Sequence, residues 1–367
     1  MFMWLLLLVT VFYASLACVV SERCFADAQS QLERAESYEK NGDYEQAEML
    51  YQEIVADYPD ADHALLAQKN LVVVYYETGR LIESDQTFNR LRTEFSSNPE
   101  LPSALASIAR EYDLLKDFAE SERVYRKIVN DYPNISLALR AQKEVALMCI
   151  RQNKVLAHEL NKLISLHQQQ GSLDLAHALF EIGQQYEEDP EKLNQATDIY
   201  RRVVEAHSDL DGFYAGRARL SIPKCKILSY IKAGKHGEVL PAVDEMLENF
   251  RGEEFLPEVI LDIGRRYRDK GFRCEQEGFD DEAEKFLGKA IPIWKRVIEE
   301  WPDTEDAADA YFFSAVCYES LGEQEMARDH YKKIIANWPK YRAAGKIQFM
   351  LEHGVKDVHL QECRAAR

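Results

Sequence analysis

A residue pattern returns every 37 residues in this chain, and a period of that length leaves few folds open. It runs small residue, aromatic four on, aliphatic seven on, aromatic eleven on and proline twelve on. Ala47, Tyr51, Ile54, Tyr58 and Pro59 show it in full. Ser121, Tyr125, Ile128, Tyr132 and Pro133 repeat it, as do Ala327, Tyr331, Ile334, Trp338 and Pro339. Spacings of four, three and four keep the large residues on one face of a helix of 3.6 residues per turn. Such a unit cannot bury its apolar face alone, so the pattern predicts stacked helical hairpins that share a core with their neighbours.

The residue opening the second helix of each hairpin is placed at Ala47, Ser84, Ser121, Leu156, Ala196, Val239, Ala283 and Ala327. The steps between these markers are 37, 37, 35, 40, 43, 44 and 44 residues. Gly42, Gly79, Gly234, Gly278 and Gly322 precede their markers by five residues, with Lys116 in the same place once. Glycine there ends the first helix in the left-handed conformation. The small marker lets two helix backbones approach, and proline stops the second helix. Strand signals are absent, so the expected class is all-α, a solenoid of about eight hairpins.

These residues resemble the tetratricopeptide repeat family. Tyr38, Ala47, Tyr51 and Pro59 meet its pattern, and so do Tyr318, Ala327, Tyr331 and Pro339. The family's glycine before the first-helix aromatic occurs only at Gly183 and Gly264, and Ile54, Leu91, Ile128 and Ile334 replace its second small residue. With the 37-residue step, these departures resemble the longer-armed bacterial envelope subgroup, which includes cell-division coordinators and lipoproteins of the outer-membrane barrel-assembly machinery. The resemblance implies a right-handed superhelix that binds protein or peptide without catalysis.

Three irregularities divide the array. The repeats marked by Leu156 and Ala196 lack the terminal proline and carry His167 and His207 in place of the aromatic. Pro223 falls inside a first helix, where it removes a hydrogen bond and favours a kink. A bend is therefore expected within 165–235, between an N-terminal array at 31–164 and a C-terminal array at 236–353. Thirdly, turn glycine Gly278 follows Gly271 by seven residues, and a second helix start, Ala290, follows Ala283 by seven, with Pro292 just beyond it. Each arm of the hairpin 257–301 has gained about two turns, expected to protrude and to pack only on each other.

The formal charge of −18, from 63 acidic and 45 basic residues, disfavours nucleic acid as a partner. Residues 1–20 carry no charged side chain, and Ser15-Leu16-Ala17 offers a signal-peptidase site. Three readings stand: a signal peptide over 1–17, a lipoprotein signal with Cys18 lipidated, and an uncleaved membrane tether. Each places the protein in the periplasm or cell envelope, with a linker at 18–30 and a tail at 354–367. The seven cysteines form no C-x-x-C pair, and Cys149 and Cys317 fall where apolar helix residues belong.

No phosphate loop, nucleophile elbow or HExxH helix is present, so no catalytic, cofactor or metal residue is assigned. The expected function is a scaffold holding a protein or peptide on the first-helix faces, through Gln68, Asn70, Tyr76, Arg110, Gln142, Arg219 and Lys226. The basic run Arg265, Arg266 and Arg268, continued by Lys270 and Arg273, offers a contact for an acidic partner. Its structural alternative is pairing with the acidic second arm, Asp280-Asp281-Glu282 and Glu284. The rival function is a structural subunit of an envelope assembly, acting through the long hairpin and the array ends.

Overall fold

The computed structural model describes residues 26–59, 62–170, 175–206 and 213–353. The leader, Cys18, most of the linker, His207 and the tail lie outside the described residues. Every regular element among those described is helical. The chain divides into two compact units, Met1–Leu173 and Asp174–Arg367.

The first unit holds four hairpins. A helix over 26–40 (α1) pairs with α2 (Tyr44–Asp57), and α3 (Asp62–Glu77) with α4 (Leu81–Glu94). Then α5 (Leu101–Leu114) pairs with α6 (Phe118–Asp131), and α7 (Ser136–Arg151) with α8 (Ala157–Gln170). Their turns pass through left-handed residues Gly42, Gly79, Lys116 and Asn153, at φ 80°, 76°, 65° and 56°. These four positions are spaced by 37 residues throughout, so the fourth repeat keeps the period. The shorter step came from using Leu156, which is buried just before α8 rather than inside it. Asn153 fills the glycine position because its short polar side chain tolerates the left-handed region.

The second unit holds four more hairpins. They are α9 (Leu175–Glu187) with α10 (Leu193–Ala206), α11 (Phe213–Lys232) with α12 (Val239–Asn249), α13 (Leu256–Gln276) with α14 (Asp280–Glu300), and α15 (Glu305–Ser320) with α16 (Gln324–Asn337). A last helix, α17 (Ala344–His353), covers the end. The all-α class and the eight hairpins agree with the period.

All eight marker residues are buried. Around Ala327 the core gathers Tyr331, Ile334, Ala308, Ala315 and Met350, which mixes the last hairpin with α17. Cys149, Cys225 and Cys317 are buried and joined in no disulfide, packed as small apolar residues. The aromatic–proline pair ends the second helix in a recurring way: Tyr58, Tyr132, Trp301 and Trp338 all sit near φ −130°. A residue before proline is driven out of the α region, so the aromatic itself leaves the helix first.

Gly183 and Gly264 have a different cause. A Cβ on Gly183 would lie 2.5 Å from Tyr200, and one on Gly264 would lie 2.2 Å from Trp294. Both helices approach until the ring of the second lies on the backbone of the first. Trp294 is fully buried, and its Nε1 donates to the Leu261 carbonyl at 3.0 Å.

The arms of the seventh hairpin, α13 and α14, each run 21 residues, against 14 in α16. Within them Leu287 closes on Gly271, where a Cβ would meet it at 2.7 Å. The added turns do not pack only on each other. Phe286 also meets His236 of the preceding hairpin's turn, with ring centroids 5.7 Å apart. Pro223 and Pro292 each remove a backbone donor, yet α11 and α14 continue through them.

Candidate partner-binding surface

First helices of a stacked array expose only a narrow column, because most of their circumference is covered by second helices and neighbours. In the first unit the column recurs at the 37-residue step as Leu66, Ser103 and Arg140, with Arg110 exposed one turn before the helix end. Three residues expected on it are buried instead. Asn70 donates to the Tyr51 hydroxyl at 2.9 Å, and Gln142 donates to Glu159 Oε2 at 2.7 Å. Gln68 is buried too, and neither of its amide atoms finds a partner among the described residues. A ligand on the surface reaches none of the three. Tyr76 is half-buried and gives its hydroxyl proton to Asp117.

Glu159 is the centre of a charged cluster in this unit. Arg126 reaches it at 2.9 Å and Glu122 at 2.7 Å, and Lys154 adds a contact to Glu122 at 2.7 Å. Burial pushes both carboxyls up, but hydrogen bonds from Arg126 and from Lys154 or Gln142 outweigh it and leave them below the ordinary carboxylate value. Gln142 therefore serves to hold a buried carboxylate.

The second unit binds its own first helices together with charge. Lys224 on α11 lies 2.5 Å from Glu187 on α9 and 2.6 Å from Asp262 on α13. Arg266 joins Glu187 at 3.1 Å, Glu188 at 3.6 Å and Asp262 at 3.7 Å. Tyr200 donates to Glu187 at 3.1 Å. Burial disfavours the charge on Asp262, yet Lys224 and Arg266 overcome it and hold the carboxyl below its ordinary value. Burial likewise opposes the charge on Lys224, and Glu187 and Asp262 raise its pKa despite it.

The basic run is thus mostly committed within the fold, and its partners are Asp262, Glu187, Glu188 and Asp269 rather than the acidic start of the second arm. Arg265 lies 3.8 Å from Asp262, and Arg268 bonds Asp269 at 2.8 Å. Both guanidinium groups also cover the Phe313 ring, at 5.7 and 5.0 Å. Arg219 and Lys226 remain exposed, facing Glu253 at 2.9 Å and Glu245 at 3.9 Å.

One surface was missed from the sequence. At the hairpin-turn edge of the first unit, Ile82 is 72% exposed, Leu114 is 66% exposed and Val155 is 86% exposed. Leu81 and Leu115 flank them and are exposed too. These aliphatic residues border the left-handed turns at Gly79, Lys116 and Asn153, where polar residues are the norm. Three successive hairpins therefore present exposed aliphatic side chains beside their turns, a candidate interaction surface. The signal was available as apolar residues within three positions of each turn residue. Among the described residues no group of three or more metal-ligating side chains occurs, and no helix is long and apolar enough to cross a membrane.

Residues 29–61 and residues 286–342 match sequence profiles described as tetratricopeptide repeat. Each of the two units contains one of the matched segments. No curated protein matches the chain in sequence. Similar solved structures include a tetratricopeptide repeat protein from Parabacteroides merdae, with 13% identity and a TM-score of 0.30 over 89% of this chain and 99% of that one. The C-terminal part of a TPR repeat-containing protein from Cytophaga hutchinsonii gives 11% and 0.33 over 86% and 98%. A human IFIT1 dimer with m7Gppp-AAAA gives 15% and 0.31 over 87% and 70%. At these scores and identities the likenesses carry no argument about what the chain binds.

Proposed function

We propose that the protein is an exported, non-catalytic scaffold that holds a protein or peptide partner in the cell envelope. The observation that carries the binding half is the apolar turn edge of Ile82, Leu114 and Val155 on an otherwise acidic protein. A preformed helical stack loses little entropy on binding, so a few desolvated aliphatic anchors provide affinity. Export is supported by the uncharged, apolar residues 1–20 followed by Ser15-Leu16-Ala17 and Cys18. A crosslinking pull-down from membranes tests the reading. Ile82→Glu with Leu114→Glu, both at exposed positions, should leave the fold intact and reduce partner recovery about tenfold, the effect of losing one good apolar anchor. Unchanged recovery from a folded double variant contradicts it.

The second reading is a structural subunit of an envelope assembly concerned with outer-membrane barrel insertion, secretion or cell division. The 21-residue arms of α13 and α14 favour it, because the added turns are mostly exposed beyond Tyr267. Partner loss on substitution at those arms, with the turn edge neutral, would select this reading.

A further inference from the structure

The long hairpin meets the turn of the preceding hairpin at an aromatic corner. Phe286 of α14 stands at its centre. The Lys270 Nζ of α13 lies 4.3 Å from the Phe286 ring centroid, and the Lys289 Nζ lies 5.7 Å from it. His236 packs against the same ring at 5.7 Å and shares a 2.9 Å hydrogen bond with the Tyr267 hydroxyl. A solvent-open depression over the turn formed by Tyr230 and residues 234–238 adjoins the corner at His236.

The charges here differ from those elsewhere in the unit. Around Phe313 the cations Arg265 and Arg268 also cover an aromatic ring, but each has a carboxylate partner. Lys270 and Lys289 form no ion pair among the described residues. Lys235 stands exposed on the neighbouring turn, and Glu238 of that turn pairs with neither Lys270 nor Lys289. Burial lowers the pKa of His236, and Lys289 and Lys270 lower it further, which places both ammonium charges within electrostatic reach of the imidazole. Two like charges gathered on one ring repel each other, which an anionic group placed between them relieves. With no carboxylate in ion-pair range among the described residues, the two ammonium groups on the Phe286 ring present positive charge that an anionic group can neutralise.

We propose that Lys270 and Lys289, bracketing Phe286 beside His236, form a docking site for an acidic peptide segment. The occupant is an extended stretch with two carboxylates that reach the two ammonium groups, while its backbone and apolar atoms cover Phe286. This site rests on the reading of the chain as a protein-binding scaffold and adds a partner chemistry to the long hairpin. It lies apart from the ion pairs of Lys224 and Arg266, which are internally neutralised. Because the lysines are partly exposed, salt weakens the binding.

The test is fluorescence anisotropy of a labelled glutamate–glycine peptide titrated with the purified full chain. The double variant Lys270→Gln, Lys289→Gln should weaken binding on the order of tenfold, as expected for two lost charge-assisted contacts. Lys295→Gln with Lys333→Gln removes the same charge at exposed sites in the same unit and should change affinity less than about twofold, by long-range screening alone. Circular dichroism checks that both variants fold. Equal weakening in the two variants means non-specific attraction and overturns the proposal, as does equal binding of a glutamine–glycine peptide. Displacement by inorganic phosphate, at concentrations where sodium chloride of equal ionic strength has no effect, assigns the corner to small anions and overturns the peptide. Failure here leaves the apolar edge untouched, because substitutions at Ile82 and Leu114 are read by partner recovery and not by this peptide.

Discussion

The indole of Trp294 lies so close over Gly264 that a Cβ at that position would stand 2.2 Å from Nε1. The indole cannot retreat, because it is fully buried and already bonded to the Leu261 carbonyl. Gly264→Ala should therefore destabilise the protein by about 1–3 kcal/mol through overpacking. Gly288 lies in α14 with nothing within 4 Å of its Cβ site, so Gly288→Ala should stabilise by about 0.5–1 kcal/mol through the unfolded chain. Denaturant melts of the two variants check the contrast. A neutral Gly264→Ala would show that the helices have room to separate.

Much of the fold was legible because the period-37 pattern places large residues against large residues. Ala47, Tyr51 and Ile54 are buried together, as the four-and-three spacing requires. The fourth turn was misread because Asn153 performs a glycine's task, and a search for glycine passes over it. The surface was less legible. Gln68, Asn70 and Gln142 look like solvated groove residues by polarity, but the last two are buried to satisfy other buried polar groups. Which carboxylate neutralises Arg266 depends on helix stacking, since Glu187 lies 79 residues away in sequence. Local charge patterning favoured the acidic second arm for that reason alone.

The stacked ion pairs predict a pH response. The Asp262 carboxyl titrates below its unfolded value, so its contribution is complete above about pH 4 and is lost as pH falls through the folded value. Lys224 is raised, so its contribution is complete below about pH 10 and is lost at higher pH. Asp262→Asn should cost about 1–3 kcal/mol at neutral pH, because it leaves a mostly buried ammonium with one carboxylate fewer. The melting difference between this variant and the wild type should shrink as pH falls below about 4. A difference that stays constant into strong acid would show that Asp262 acts by packing and not by charge.

Export makes a chemical prediction about the N-terminus. Intact mass and N-terminal sequencing of protein from its native cells should give a chain that starts at Cys18. Added acyl mass on that residue identifies a lipoprotein, and its absence a cleaved signal peptide. A soluble cytoplasmic protein retaining Met1 would contradict export altogether.

The most direct test of the scaffold reading is a map of partner contacts along the turn edge. A photoreactive phenylalanine analogue is placed singly at Ile82, Leu114 and Val155, and at the exposed control positions Glu53 and Arg90 on second helices of the same unit. Irradiation of intact cells should give the same protein adduct from all three edge positions and none from the controls. Adducts from the controls alone, or no adduct from any edge position in a folded and correctly localised protein, would contradict the account.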